Sequence, residues 1–189
     1  LLLRWARQVG KRYLIEMFGK SHFENIVTVD FERQPELSSA FKSKEPKDIL
    51  IQLEFVFQTP IKPGSTLLFL DEIQLCPQAL MSLRYFKERL PKLHVIAAGS
   101  LLEFILQEES FSFPVGRVDF LYLHPLSFKE YLGAAAPFIE KKLPQFSLLD
   151  PPKELEHQEL LKWVRRYLFI GGMPAAVETT LSQDSLLES

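Results

Sequence analysis

Residues 66–70 read TLLFL and run directly into Asp71 and Glu72. An apolar run with no alternation belongs to a strand covered on both faces, and such strands sit in parallel sheets flanked by helices. The chain must therefore provide helices for two faces. Its remaining pattern does so, because short apolar runs alternate with helix-length segments, the signature of a parallel sheet with crossover helices.

Residues 1–4 read as a first strand, and 11–18 as a helix with Leu14, Ile15 and Phe18 on one face. The β-rich run 25–31 is a second strand, and 46–57 a helix facing inward through Ile49, Leu50, Leu53 and either Val56 or Phe57. Pro77 opens a helix that Pro91 stops. Residues 94–98 and 118–123 complete five strands. In open α/β sheets ligands bind beyond the carboxyl ends of the strands, so that edge is where chemistry is sought.

Composition narrows the classes. Across 189 residues, 22 Lys and Arg stand against 24 Asp and Glu, a formal charge of -2 that gives no bulk drive toward nucleic acid or anionic membrane. No apolar run approaches the length of a membrane span. Cys76 is the single cysteine, so no disulfide forms within the chain, and a reducing, cytoplasmic compartment is expected. The chain starts without methionine, in what reads as the middle of a strand, and a fragment of a longer protein is expected. A boundary is placed at the Ala- and Pro-rich stretch after residue 132. The expected parts are a core over 1–132, a linker over 133–153 and a helical segment over 154–189. That last segment carries a helix at 154–169 with Leu160, Leu161, Val164 and Leu168 inward.

Two features carry chemistry. The first is WARQVGKR at 5–12, which aligns with the phosphate-binding pattern G-x-x-x-x-G-K-[ST]. That loop wraps phosphate oxygens with backbone N–H groups at a helix N-terminus, neutralises them with lysine and holds Mg2+ through its hydroxyl. Gly10 and Lys11 stand in register, while Trp5 replaces the first glycine and Arg12 the hydroxyl. Taken alone, Gly-Lys before a helix more often marks a turn and a solvated lysine. The second feature is the acidic pair. At the carboxyl end of a buried strand, Asp71 would hold Mg2+ and Glu72 would polarise the attacking water. A strand running into an acidic turn is also common, so the spacing and order of the two features weigh more than either alone.

The strings RQVGKRYLIEMFGKSHFENIVTVDFE, LLFLDEIQLCPQALMSLRYFKE, LHVIAAGSLLEF and FPVGRVDFLYLHPLSFKEYL together resemble a group of prokaryotic AAA-superfamily ATPases. The later GGMPAAV is similar to the Gly-x-Pro element in the helical lid of related signalling NTPases. The resemblance implies a P-loop NTPase (AAA+-like) fold, a three-layer α/β sandwich with a mostly parallel five-stranded sheet followed by part of an α-helical lid. It implies that residues 7–12 (Arg7, Gln8, Val9, Gly10, Lys11 and Arg12) meet the phosphates of ATP, that Asp71 supports Mg2+ and that Glu72 is the catalytic carboxylate. Ser100 would sense the γ-phosphate, although a serine there would equally cap the helix that follows. Arg117 would be an arginine finger reaching the nucleotide of a second copy in a homo-oligomer, or else a structural ion-pair partner. Gly172 and Pro174 would meet the nucleotide from the lid. Such a domain couples nucleotide state to movement and acts on a protein client.

The departures at positions 5 and 12 bear on activity. A tryptophan brings a Cβ and a ring to a turn suited to glycine. Arg12 offers only donors and cannot ligate a metal. Held ~4 Å from Mg2+ at an effective dielectric of ~20, it would repel the ion by about 8 kcal/mol, so it must turn away or displace the metal. Poor ATP binding, weak or metal-independent, with slow or absent hydrolysis is expected. The alternatives are a non-catalytic P-loop-fold scaffold or interaction module, and a DNA-associated ATPase fragment. The scattered His22, His94, His124 and His157 lack metal-ligand spacing, and Ser82 and Ser127 have no His-acid pair nearby in sequence.

Overall fold

The computed structural model describes residues 1–4, 8–99 and 117–187. The chain divides into two compact units, Leu1–Leu123 and His124–Ser189.

In the first unit β1 (Leu2–Arg4), β2 (Asn25–Asp30), β3 (Thr66–Asp71), β4 (His94–Ala98) and β5 (Phe120–Tyr122) form one sheet in the order β2-β3-β4-β1-β5. Every pairing among them is parallel. All six residues of β3 are buried, as its unbroken apolar sequence requires. Leu67 and Phe69 face the layer that contains Leu3, Ile15, Ile96 and Ala98, while Leu68 and Leu70 face a larger core on the other side. Each such side chain contributes about 2 kcal/mol relative to exposure.

Helix α1 (Lys11–His22) covers the first face. It is buried at Lys11, Ile15 and Gly19, whereas Leu14 and Phe18 are 37% and 41% exposed, so the expected Leu14-Ile15-Phe18 face is corrected. The cause is Gly19, whose missing side chain lets the helix settle onto β2: a Cβ there would lie 2.8 Å from Ile26 Cδ1. Phe18 stacks on His22 instead, with ring centroids 4.5 Å apart.

Helices α2 (Pro46–Phe57) and α3 (Pro77–Arg89) cover the other face together with a 3-10 helix, Pro35–Lys42. Ile49, Leu50 and Leu53 are buried as expected, and Phe57 rather than Val56 completes the face. The 3-10 helix has no counterpart in the expected element order; it adds Leu37, Ala40 and Phe41 to the core, with Phe41 edge-on to Phe31.

The second unit contains α4 (Phe128–Ala135), α5 (Pro137–Lys142), α6 (Glu154–Ile170) and α7 (Pro174–Leu187). Tyr131, Leu132 and Val177 form its buried centre, with Trp163, Tyr167 and Ile170 packed around them. The inward face of α6 is thus largely aromatic, and Leu161 and Leu168, expected inside, are 37% and 74% exposed. Helix α4 spans residue 132, and Tyr131 and Leu132 are both buried in the core of the helical unit. Residues 133–153 include α5 and a 3-10 turn, Leu143–Gln145. No described helix is long and apolar enough to cross a membrane.

Candidate functional site

The carboxyl ends of β2 and β3 finish on the same rung, Asp30 opposite Asp71. The segment that leads into α1 rises at this edge. Gln8 and Gly10 both have positive φ, +65° and +84°, so the chain bends sharply before the helix begins. A left-handed residue at Gly10 is cheap only without a Cβ. From there Leu14 N–H donates to the Gly10 carbonyl at 3.0 Å, closing the first helical turn. The first-turn N–H groups of a helix have no partner within it, and their summed dipoles make this end an anion seat.

Gln8, Gly10, Lys11, Arg12, Tyr13, Glu32, Asp71 and Glu72 line one open crevice of about 330 Å³. Lys11 is 92% buried along its length, consistent with a stem packed beside the sheet. Arg12 reaches across to the acids: Nη1 donates to Asp30 Oδ2 at 2.7 Å and lies 3.7 Å from Asp71 Oδ2, while Nε donates to Glu16 Oε1 at 2.8 Å. The hydrogen bond to Glu16 leads in holding the guanidinium above its ordinary pKa.

The two strand-end acids differ in their surroundings. Burial pushes the Asp30 carboxyl up, but the N–H groups of Arg33 and Glu32, which donate to its Oδ1, and the Arg12 guanidinium together carry it below the usual range. Burial dominates at Asp71 and raises it, with the Glu72 N–H bond at 3.1 Å opposing only in part. Glu72 sits at φ +49°, a backbone state that non-glycine residues adopt at a cost, and Gln74 Nε2 donates to its Oε2.

Of the residues singled out from sequence, Gln8, Gly10, Lys11, Arg12, Asp71 and Glu72 meet at this crevice. The Val9 side chain is 4% exposed and belongs to the interior, leaving its backbone to serve a ligand. Trp5, Arg7 and Ser100 lie outside the described residues. Arg117 precedes β5, at the amino-terminal edge of the parallel sheet, and donates from Nε to Glu88 Oε1 at 3.1 Å. In the second unit the Gly172 carbonyl accepts from Leu126 N–H at 2.7 Å, and Pro174 occupies the first position of α7. Asp30, Glu32 and Gln74 were missed. The one available signal was that Asp30 ends the strand beside β3, so its carboxylate had to reach the same edge as Asp71.

A triphosphate suits this chemistry: a glycine bend with nothing within 4 Å of where a Cβ would be, a helix N-terminus, a lysine and an arginine. Mg2+ does not. The ligating hydroxyl is absent, a guanidinium sits on the carboxylates that would face the ion, and no group of three or more His, Cys, Asp or Glu among the described residues could hold a metal.

Residues 1–132 match the model of a family described as an AAA domain. No curated protein matches the chain. Among solved structures it is similar to AMPPCP-bound DnaA from Aquifex aeolicus, at 13% identity and a TM-score of 0.49 over 98% of this chain and 54% of that one. It is also similar to the Aeropyrum pernix ORC1 protein in complex with DNA, at 14% identity and a TM-score of 0.38 over 76% of this chain and 43% of that one. The chain therefore spans about half the length of either.

Proposed function

Because the chain belongs to the AAA-domain family, we propose that the crevice beyond β2 and β3 is an ATP seat, used for binding more than for turnover. The observation that carries this reading is the convergence of Gln8, Gly10, Lys11 and Arg12 from one segment with Asp71 and Glu72 from another on a single cavity. In it the amides of residues 8–10 wrap the phosphates, with Arg7 and the Val9 backbone beside them, and Lys11 neutralises their charge. Glu72, held by Gln74, is the carboxylate placed to polarise a water. Ser100 senses the γ-phosphate, Gly172 and Pro174 meet the nucleotide from the helical unit, and Arg117 acts on the site of a second copy. Nucleotide state then moves one unit against the other and so acts on a protein client. Hydrolysis is slow or absent, since positioning a metal is central to stabilising phosphoryl transfer and Arg12 stands against it.

A second reading is a non-catalytic scaffold that keeps the sheet and has lost the ligand. The engagement of Arg12 by Glu16 and Asp30 favours it, because those bonds already occupy two of its nitrogens within the chain. A DNA-associated role finds no support in a formal charge of -2. Calorimetric titration separates the first two. Weak ATP binding is expected, falling roughly ten- to a hundredfold in Lys11→Ala as one charge-assisted contact is lost. A folded chain that takes up no ATP at millimolar concentration is the scaffold. Micromolar affinity with steady phosphate release in Mg2+ would instead contradict the impairment inferred from Trp5 and Arg12. Restoring Trp5→Gly with Arg12→Thr raises both affinity and turnover.

A further inference from the structure

We propose that Arg12 is a built-in cation occupying the place of a divalent metal, that Asp30 is the positioning residue that keeps it there, and that the site therefore selects metal-free nucleotide. This rests on the reading of the crevice as a triphosphate seat.

Asp30 and Asp71 share a rung, so their backbones stand one strand spacing apart, roughly 4.8 Å. Two carboxylates brought so close repel each other, a cost relieved by a cation beside them or by a proton on one of them. Arg12 is the cation that faces both acids, 2.7 Å from Asp30 and 3.7 Å from Asp71, while the more exposed Arg33 reaches only Asp30, at 3.5 Å. Asp30 is preset for the task. Its Oδ1 accepts the Glu32 and Arg33 amides at 3.1 and 3.0 Å, which fixes the carboxylate and presents Oδ2 to the guanidinium. Glu16 grips the other side through Nε, one helical turn along α1. Arg12 is thus held by partners on a helix and on a strand end, an arrangement unlike an arginine that has merely swung aside.

The guanidinium carries donors on a third nitrogen, so it can neutralise a phosphate oxygen while Nε and Nη1 stay engaged. A divalent ion gains nothing here, because it would have to expel Arg12 or stand against a like charge. Mg2+ complexed to ATP in solution thus competes with the site instead of assisting it.

Two measurements decide the matter. The first needs no nucleotide. The thermal midpoint of the wild-type chain is the same in millimolar MgCl2 and in KCl of equal ionic strength. Arg12→Met lowers it by about 3 °C or more, Mg2+ restores at least half of that loss, and adding Asp30→Asn to Arg12→Met abolishes the Mg2+ response. An Arg12→Met chain that Mg2+ does not raise, or a wild-type chain raised just as much, overturns the proposal. The second uses the wild-type chain alone, so it stands even where Arg12→Met fails to fold. ATP binds at least as tightly in EDTA as in excess Mg2+, and tightening by about tenfold in Mg2+, near 1.4 kcal/mol, overturns the proposal. Absence of ATP binding in both buffers defeats the triphosphate reading, while the midpoint series still decides whether Arg12 takes the place of a metal.

Discussion

Gly172 packs so closely on Leu126 that a Cβ added to it would lie 2.1 Å from the Leu126 carbonyl oxygen. The approach is fixed from both sides: Leu126 N–H donates to the Gly172 carbonyl, and the Tyr167 hydroxyl donates to the Leu126 carbonyl, each at 2.7 Å. The obstacle is backbone, which cannot rotate away as a side chain can. Gly172→Ala therefore costs the helical unit about 3 kcal/mol, at the upper end for overpacking. Urea unfolding followed by the fluorescence of Trp163, which packs on the centre of that unit, reads the loss directly. An unchanged midpoint would mean that Gly172 is kept for the nucleotide alone.

Gly10 presents the opposite case. Nothing lies within 4 Å of where its Cβ would be, but φ is +84°. Gly10→Ala therefore pays for conformation without a clash, about 1 kcal/mol, and Gly10→Asn less, since asparagine visits the left-handed region more readily. Denaturation of the two variants side by side tests this order, and a larger cost for asparagine would point to a crowded bend.

The β3 strand divides its side chains between two cores, and Phe69 on the α1 side is fully buried. Phe69→Ala leaves a cavity in the smaller cluster, where few neighbours can collapse into it, and costs about 4 kcal/mol. Amide exchange of the β2 and β4 residues paired with β3 should rise accordingly, because the loss falls on the sheet.

How far the residues declared their own structure follows from the strength of each local signal. Strand β4 and helix α2 have the expected bounds, since Pro46 can open a helix and the apolar run of β4 has turn residues before it. The face of α1 was misread because Leu14 and Phe18 are the larger apolar residues, whereas the packing is decided by a contact that Gly19 permits. Residues 35–42 show no strong period, and their 3-10 geometry became clear only with Phe41 against Phe31. At the site, the motif positions were legible one by one. Asp30 was not, because its importance comes from register with Asp71, a relation between strands that no linear pattern states. The AAA-domain match ends at residue 132, where the proline-rich stretch begins, while the contact-based division falls at Leu123 because Tyr131 and Leu132 pack in the helical unit.

Ser127, which lacks the partners of a nucleophile in sequence, instead caps α4. Its N–H and hydroxyl both donate to Glu130 Oε2 at 2.7 Å, and Glu130 N–H donates back to Ser127 Oγ at 3.3 Å. The Ser127 N–H bond leads, with the hydroxyl second, in holding the Glu130 carboxyl below its ordinary value. A depressed carboxylate gives stability that is fully present above the pKa of the unfolded chain and is lost as pH falls through the folded value. The box is exposed to solvent, so the contribution is at the low end for a cap, about 0.5 kcal/mol. Glu130→Ala is thus less stable than the wild-type chain near neutral pH, and the two converge once the pH drops below the ordinary glutamate range and past the depressed value. Glu130→Gln, which keeps an acceptor but cannot titrate, retains part of the cap at every pH. Paired urea titrations across that range test the sign, and a gap that widens on acidification would show that Glu130 is not held as a carboxylate by Ser127.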